Sequence, residues 1–204
     1  MTRRTLCAAC LRPQSTCICG WVAAIPNLTQ VLILQHPMEV ANAKGSARLL
    51  HLSLAHSRIE TGESFAPEAL QAMLSGGRRA ILLYPETAGE QALGMPAPPP
   101  FDPRWLDQPA QLQLVVLDGT WRKSRKMLYL NPLLQQLPRL PLRDTPPSHY
   151  LIRKAHLPDQ LSTLEATAYA LAQLEGDAAR YAPLIAAFDG FVAQQMAQQA
   201  GHQR

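Results

Sequence analysis

The sequence predicts an α/β protein, a mostly parallel sheet with helices on both faces. Three apolar runs carry that prediction: Val31-Leu32-Ile33-Leu34, Ala80-Ile81-Leu82-Leu83 and Leu114-Val115-Val116-Leu117. None alternates with polar residues, and stretches with helical spacing separate them. Strands that are apolar throughout belong to sheets covered on both sides, the usual condition of parallel strands.

The first strand spans residues 28–35 and ends at His36-Pro37, and a helix is expected over 39–54, with Leu49, Leu50, Leu52 and Leu54 in its last turns. A polar stretch leads to a short helix over 67–74 that Gly76-Gly77 stops. The second strand, 80–84, ends at Pro85-Glu86, and the proline run over 95–100 forms a stiff loop joining two halves of one fold. The third strand, 112–117, runs directly into Asp118-Gly119-Thr120-Trp121 and a basic helix reaching Leu130. Residues 138–142 and 149–153 are candidate short strands, and helices are expected over 162–174 and 183–199.

With 204 residues, 47% of them hydrophobic and 17% charged, the chain suits one globular domain with a small appendage. No apolar stretch approaches the ~20 residues of a membrane-spanning helix. The first residues have no apolar h-region, so a cytoplasmic protein is expected. A net charge of +4 leans toward a polyanionic partner.

All four cysteines, Cys7, Cys10, Cys17 and Cys19, fall in one window near the N-terminus. The pattern C-x2-C-x6-C-x-C gathers enough thiolates to surround one tetrahedral ion, and zinc with four sulfur ligands is structural because no coordination position stays open. Four thiolates also suit an iron–sulfur cluster, and spacing does not separate the two. Residues 1–24 are accordingly expected to form a metal-binding knuckle, and residues 25–204 the main domain.

The junction after the third strand is the strongest candidate site, because open α/β sheets bind ligands beyond the carboxyl ends of their strands. Asp118 leaves the strand, Gly119 permits an unusual backbone angle, and Thr120 caps the helix that follows. Capping does not account for Trp121, nor for Arg122, Lys123, Arg125 and Lys126, whose spread over more than one helix face suits a phosphate backbone. Ser162 followed by Glu165 is a capping box at a further helix start. The chain has neither a G-x-x-x-x-G-K-[ST] phosphate loop nor a G-x-G-x-x-G fingerprint, which removes support for nucleotide hydrolysis and dinucleotide binding.

Taken in order, the cysteine cluster, Gln35-His36-Pro37-Met38-Glu39 with Lys44 and Arg48, Tyr84-Pro85-Glu86, Asp118-Gly119-Thr120-Trp121 and Leu161-Ser162-Thr163-Leu164-Glu165-Ala166 resemble the DTW-domain family, named for a D-x-T-W motif. The chain looks like the bacterial tRNA-uridine aminocarboxypropyltransferases of that family. The resemblance implies a SPOUT-like fold with a C-terminal trefoil knot, and transfer of the 3-amino-3-carboxypropyl group of S-adenosylmethionine to N3 of a tRNA uridine. By the same analogy Tyr84, Pro85, Leu117, Gly119, Thr120, Leu161, Ser162 and Thr163 surround the cofactor. Asp118 is the expected catalytic base. Trp121, the four cations beside it, Lys44, Arg48 and Arg153 are expected to face tRNA, and a monomer is expected. A methyltransferase on the same scaffold, and a zinc-containing RNA-binding protein without catalysis, are the alternatives.

Overall fold

The computed structural model describes residues 5–85, 94–142, 145–150, 152 and 161–202. Four strands, β1 (Gln30–Gln35), β2 (Ser57–Thr61), β3 (Arg79–Leu83) and β4 (Leu112–Asp118), form one sheet in the order β2-β1-β4-β3. Every pairing is parallel. The helices are α1 (Ala47–Ser53), α2 (Pro67–Leu74), α3 (Trp121–Leu130), α4 (Pro132–Gln135), α5 (Thr163–Glu175) and α6 (Ala178–His202).

The unbroken apolar runs are explained by two cores, one on each face of the sheet. Val31, Ile33, Leu114 and Val116 point to one face and pack with Leu49 and Leu50 of α1, Leu164 and Leu171 of α5, and Phe188 and Phe191 of α6. Leu32, Leu34, Val115 and Leu117 point to the other and meet Leu70 of α2, Met127 and Leu128 of α3, and Leu134 of α4. Successive residues of β1 and β4 thus serve opposite cores, as the strand repeat of two requires.

The cysteine-bearing segment docks on the first face, where Cys10 and Ile18 are buried in the α1, α5 and α6 core. Trp21 lies against α6 so closely that a Cβ at Gly190 would come within 2.2 Å of its ring. A Gly190→Ala variant is therefore expected to displace Trp21 and cost ~1–3 kcal/mol, read as a lower denaturation midpoint.

Several sequence expectations are corrected. The helix over 39–54 is a single 3-10 turn, Pro37–Glu39, followed by a helix that starts only at Ala47. Between them Asn42 closes local turns: its Oδ1 accepts the Lys44 N–H at 3.0 Å and its carbonyl accepts the Gly45 N–H at 2.9 Å. Such side-chain bonds compete with the helix ladder. The polar stretch after α1 contains β2, which lacks an apolar signature because it is a half-exposed edge strand. Residues 138–142 contribute one parallel bridge, Arg139 to Leu82, and not a strand. Residues 151 and 153 of the segment 149–153 lie outside the described residues, and Tyr150 is not in a strand.

The last helix begins at Ala178, five residues before the expected Pro183. Asp177 supplies the signal, accepting the Arg180 N–H at 3.0 Å just after Gly176 ends α5 in a left-handed conformation, φ 65°.

Candidate active site

The sheet order places a crevice between β1 and β4. The chain leaves β1 toward α1, on the first face, and leaves β4 directly into α3, on the second. Adjacent parallel strands whose following helices diverge to opposite faces open the gap in which α/β proteins hold ligands. Gln35 and Asp118 are paired in register at that edge.

Asp118 is 5% exposed. Its Oδ2 accepts a hydrogen bond from Gln35 Nε2 at 2.9 Å and its Oδ1 one from Thr163 Oγ1 at 2.7 Å. Three elements thereby fix one carboxylate: β1, β4 and the first residue of α5. The α5 start is itself rigid, because Ser162 accepts the Glu165 N–H at 3.1 Å while Glu165 Oε2 accepts the Ser162 N–H at 2.8 Å, the expected capping box. Glu165 is fully buried and also accepts the Ser148 hydroxyl at 2.9 Å and the His149 N–H at 2.6 Å. A buried carboxylate so satisfied anchors the wall formed by residues 148–150. Glu165→Gln removes the charge and one acceptor, so it is expected to lower stability by ~1–3 kcal/mol in chemical denaturation.

A small pocket opens over Asp118, Gly119 and Thr163, walled by Glu39, Asn42, Tyr150 and the turn Lys44-Gly45-Ser46. Gly119 serves proximity and not an unusual angle, which corrects the sequence reading: its φ is not positive, and an added Cβ would lie 3.0 Å from Lys123 Cβ and 3.7 Å from His36 Cβ. Thr120 caps α3 as expected, accepting the Lys123 N–H at 3.4 Å.

Only part of the α3 charge faces solvent. Lys123 is half-buried in its pair with Glu39 at 2.7 Å; Lys126 pairs with Glu63 at 2.8 Å but is exposed, as are Arg122 and Arg125. Glu63 also meets His36 Nε2 at 2.9 Å. His36 Nδ1 accepts the Met38 N–H, so Nε2 carries the proton directed at Glu63. Lys126, and then His36, holds the Glu63 carboxyl below its ordinary range. With a depressed native pKa, the stabilisation from this network is present above the unfolded-state pKa and is lost as pH falls through the native one.

Trp121 is 49% exposed, and its ring meets that of Tyr84 in a T-shaped contact at 5.7 Å. The Tyr84 ring carries the Arg139 guanidinium at 5.3 Å, and Arg139 donates to the Pro85 carbonyl at 3.0 Å. Leu117 is core, and Leu161 is partly buried. Lys44 and Arg48 turn inward, Lys44 Nζ donating to the Ile152 carbonyl and Arg48 Nη2 to the Ala9 carbonyl, each at 3.0 Å. Glu86 and Arg153 lie outside the described residues. Sequence reasoning missed Gln35, Ser46, Glu63 and Tyr150 as parts of the site. For Gln35 a polar residue closing an apolar strand was the available signal; for Glu63, within a polar stretch, there was none.

The four cysteine sulfurs lie within 4.8 Å of one another and no disulfide joins them. Cys7 Sγ is 3.6 Å from Cys19 Sγ, and Cys10 Sγ is 3.7 Å from Cys17 Sγ. Ligands ~2.3 Å from a tetrahedral zinc stand roughly 3.8 Å apart, so the donor set fits such an ion. The Cys10 and Ala9 N–H groups, with neighbouring thiols, bring Cys7 down to about 6. Desolvation, followed by bonds to the neighbouring thiols, pushes Cys19 up to about 12. One thiolate forms readily while burial keeps another protonated, and a bound cation favours the deprotonated form of all four.

The fold and site define a parallel α/β protein with a buried carboxylate at the crevice of its sheet and four clustered thiols whose donor set fits a metal ion. The chain belongs to the DTW domain family, whose model matches residues 4–196. It is similar to tRNA-uridine aminocarboxypropyltransferase 2 of Macaca fascicularis, 30% identical over 180 residues, which cover 85% of this chain and 57% of that protein. The Mus musculus protein of the same name is 31% identical over the same shares, and that of Drosophila melanogaster is 30% identical over 85% of this chain and 68% of its own length. These relatives are eukaryotic, whereas the sequence resemblance pointed to the bacterial enzymes. The chain spans 57% of the length of the first two. No solved structure matches the chain.

Proposed function

We propose that this chain transfers the 3-amino-3-carboxypropyl group of S-adenosylmethionine to N3 of a tRNA uridine. The observation that carries the reading is Asp118, held by Gln35 and Thr163 at the crevice between β1 and β4 and followed two residues later by a capped helix with an exposed tryptophan. Relatives named for that reaction at about 30% identity support it.

In the reaction, N3 attacks the methionine Cγ, the Cγ–S bond breaks, and the sulfonium leaves as the neutral thioether 5′-methylthioadenosine. The N3 proton passes to Asp118. Because the sulfonium is already a good leaving group, the protein contributes mainly alignment and the base. Thr163 and Gln35 each bind one carboxylate oxygen, which fixes the orientation of the group at the pocket. Trp121 stacks on the extruded uracil, and Arg122 and Arg125 follow the RNA backbone. Lys123 and Lys126 contribute to the same field while holding Glu39 and Glu63. The loops at Tyr84-Pro85, Leu117 to Thr120 and Leu161 to Thr163 enclose the cofactor, in a SPOUT-like arrangement with a C-terminal knot.

The four cysteines hold a structural zinc, residues 1–24 forming the knuckle and 25–204 the catalytic domain. The protein acts in the cytoplasm as a monomer. Among the described residues no helix is long and apolar enough to cross a membrane.

Mass spectrometry of tRNA incubated with the protein and S-adenosylmethionine tests the reading. The mass of an aminocarboxypropyl group on one uridine supports it; a methyl group, or RNA binding without cofactor consumption, replaces it with one of the alternatives. Arg122→Glu with Arg125→Glu should weaken tRNA binding and reduce the slope of its salt dependence by about one for each phosphate that is no longer neutralised, as measured by filter binding across a salt series.

A further inference from the structure

The turn that walls the pocket opposite Asp118 is held from outside the catalytic face by a single guanidinium. Arg12, between Cys10 and Cys17 of the cysteine cluster, donates from Nη1 to the Ala43 carbonyl at 2.7 Å and from Nη2 to the Gly45 carbonyl at 3.0 Å. Its plane lies over the Phe191 ring of α6 at 5.1 Å, and its own carbonyl accepts the Cys7 N–H at 2.8 Å. The other bonds of the turn run inward: the Asn42 carbonyl accepts from Gly45 N–H, and the Lys44 carbonyl from the Tyr150 hydroxyl. The carbonyls of residues 42–45 are thus all engaged, two of them by Arg12.

From this arrangement we infer that Arg12 is a positioning residue, a two-pronged clamp that fixes the Ala43 to Gly45 turn against the pocket and makes the shape of the site depend on the cysteine-bearing segment. The turn needs such a clamp because it stands where the expected helix fails to form, so it has no ladder of its own. Only a planar fork reaches two carbonyls two residues apart while stacking on a ring; a lysine ammonium at that place satisfies one carbonyl. Arg48 ties the same region to the same segment through the Ala9 carbonyl, but from α1 and without touching the turn's carbonyls. Gln194 of α6 provides a contrast. It anchors the cysteine segment at the Cys17 carbonyl, 3.1 Å, and accepts the Trp21 indole N–H, without bonding the turn.

The inference rests on the proposed function for its catalytic readout and on geometry alone for its structural one. The test compares full-length Arg12→Lys and Gln194→Ala with the parent by three measurements: thermal midpoint, hydrogen exchange of the amides of residues 43–46, and, for activity, S-adenosylmethionine affinity by calorimetry with turnover on tRNA. Arg12→Lys is expected to stay folded, to speed exchange in 43–46 by about tenfold, and to weaken cofactor affinity or turnover by about tenfold, the scale of removing one charge-assisted hydrogen bond. Gln194→Ala is expected to lower the midpoint at least as much while leaving exchange in 43–46 and turnover within about twofold of the parent. Unchanged exchange in Arg12→Lys, or equal losses in both variants at equal loss of midpoint, would overturn the clamp. A parent protein that neither binds the cofactor nor modifies tRNA would instead refute the proposed reaction, and the exchange data would still decide on Arg12.

Discussion

Asp118→Asn is expected to bind tRNA as the parent does and to modify it about a hundred- to ten-thousand-fold more slowly, the usual contribution of a positioned acid or base. The substitution is nearly isosteric. Its Oδ1 continues to accept from Thr163, and the new amide nitrogen meets Gln35, whose side-chain amide flips to present its oxygen instead of its nitrogen. Hydrogen bonds that join β1, β4 and α5 therefore survive, and the thermal midpoint should change little. The missing element is a carboxylate able to take the N3 proton. Single-turnover rates with saturating tRNA and cofactor, alongside the tRNA dissociation constant, separate the two effects. A rate within a few-fold of the parent would remove Asp118 from the reaction.

The second large effect is expected at the metal cluster. Chelation, or Cys10→Ser, should lower the thermal midpoint sharply and expose the chain around residues 5–24 to protease, with a loss of roughly 3 kcal/mol or more. Cys10 is 2% exposed and belongs to the core shared by α1, α5 and α6. A serine there leaves a polar group in an apolar setting and three thiolates without their fourth partner. Loss of the ion also leaves buried sulfur groups that must take up protons, since desolvation disfavours a charged Cys19. Metal analysis of the purified protein, one equivalent expected, accompanies the measurement; a protein that lacks metal and keeps its midpoint in chelator would contradict it.

The sheet was legible in the sequence because β1, β3 and β4 are apolar on both faces, and burial on both faces leaves no other pattern. β2 was not, because an edge strand with Arg58 and Glu60 in it carries the pattern of a loop. Asp118 and Thr120 were legible from strand-to-helix punctuation, and Ser162 with Glu165 from spacing. What spacing does not carry is convergence: the family resemblance put Thr163 and Asp118 at one site, but spacing alone does not show that they bond across 45 positions, or that Glu39 neutralises Lys123. The helix expected over 39–54 failed for a related reason. Asn42, Gly45 and Ser46 each permit a helix, and it is the Asn42 bonds to the Lys44 and Gly45 N–H groups that decide for a turn.

Gly119 shows how a correct residue was assigned an incorrect cause. Glycine stands there because Lys123 crowds the position, so Gly119→Ala should push Lys123 away from Glu39 and disturb the pocket without any backbone strain.

The most direct measurement is a crystal structure of the protein with S-adenosylmethionine and a uridine-containing tRNA fragment. The account predicts an Asp118 oxygen within hydrogen-bond reach, about 2.6–3.2 Å, of uridine N3, and the methionine Cγ at the same outer edge of that nitrogen with its Cγ–S bond directed away from N3, in line for displacement. A carboxylate facing solvent, with the cofactor's methionine end lodged elsewhere in the molecule, would contradict it.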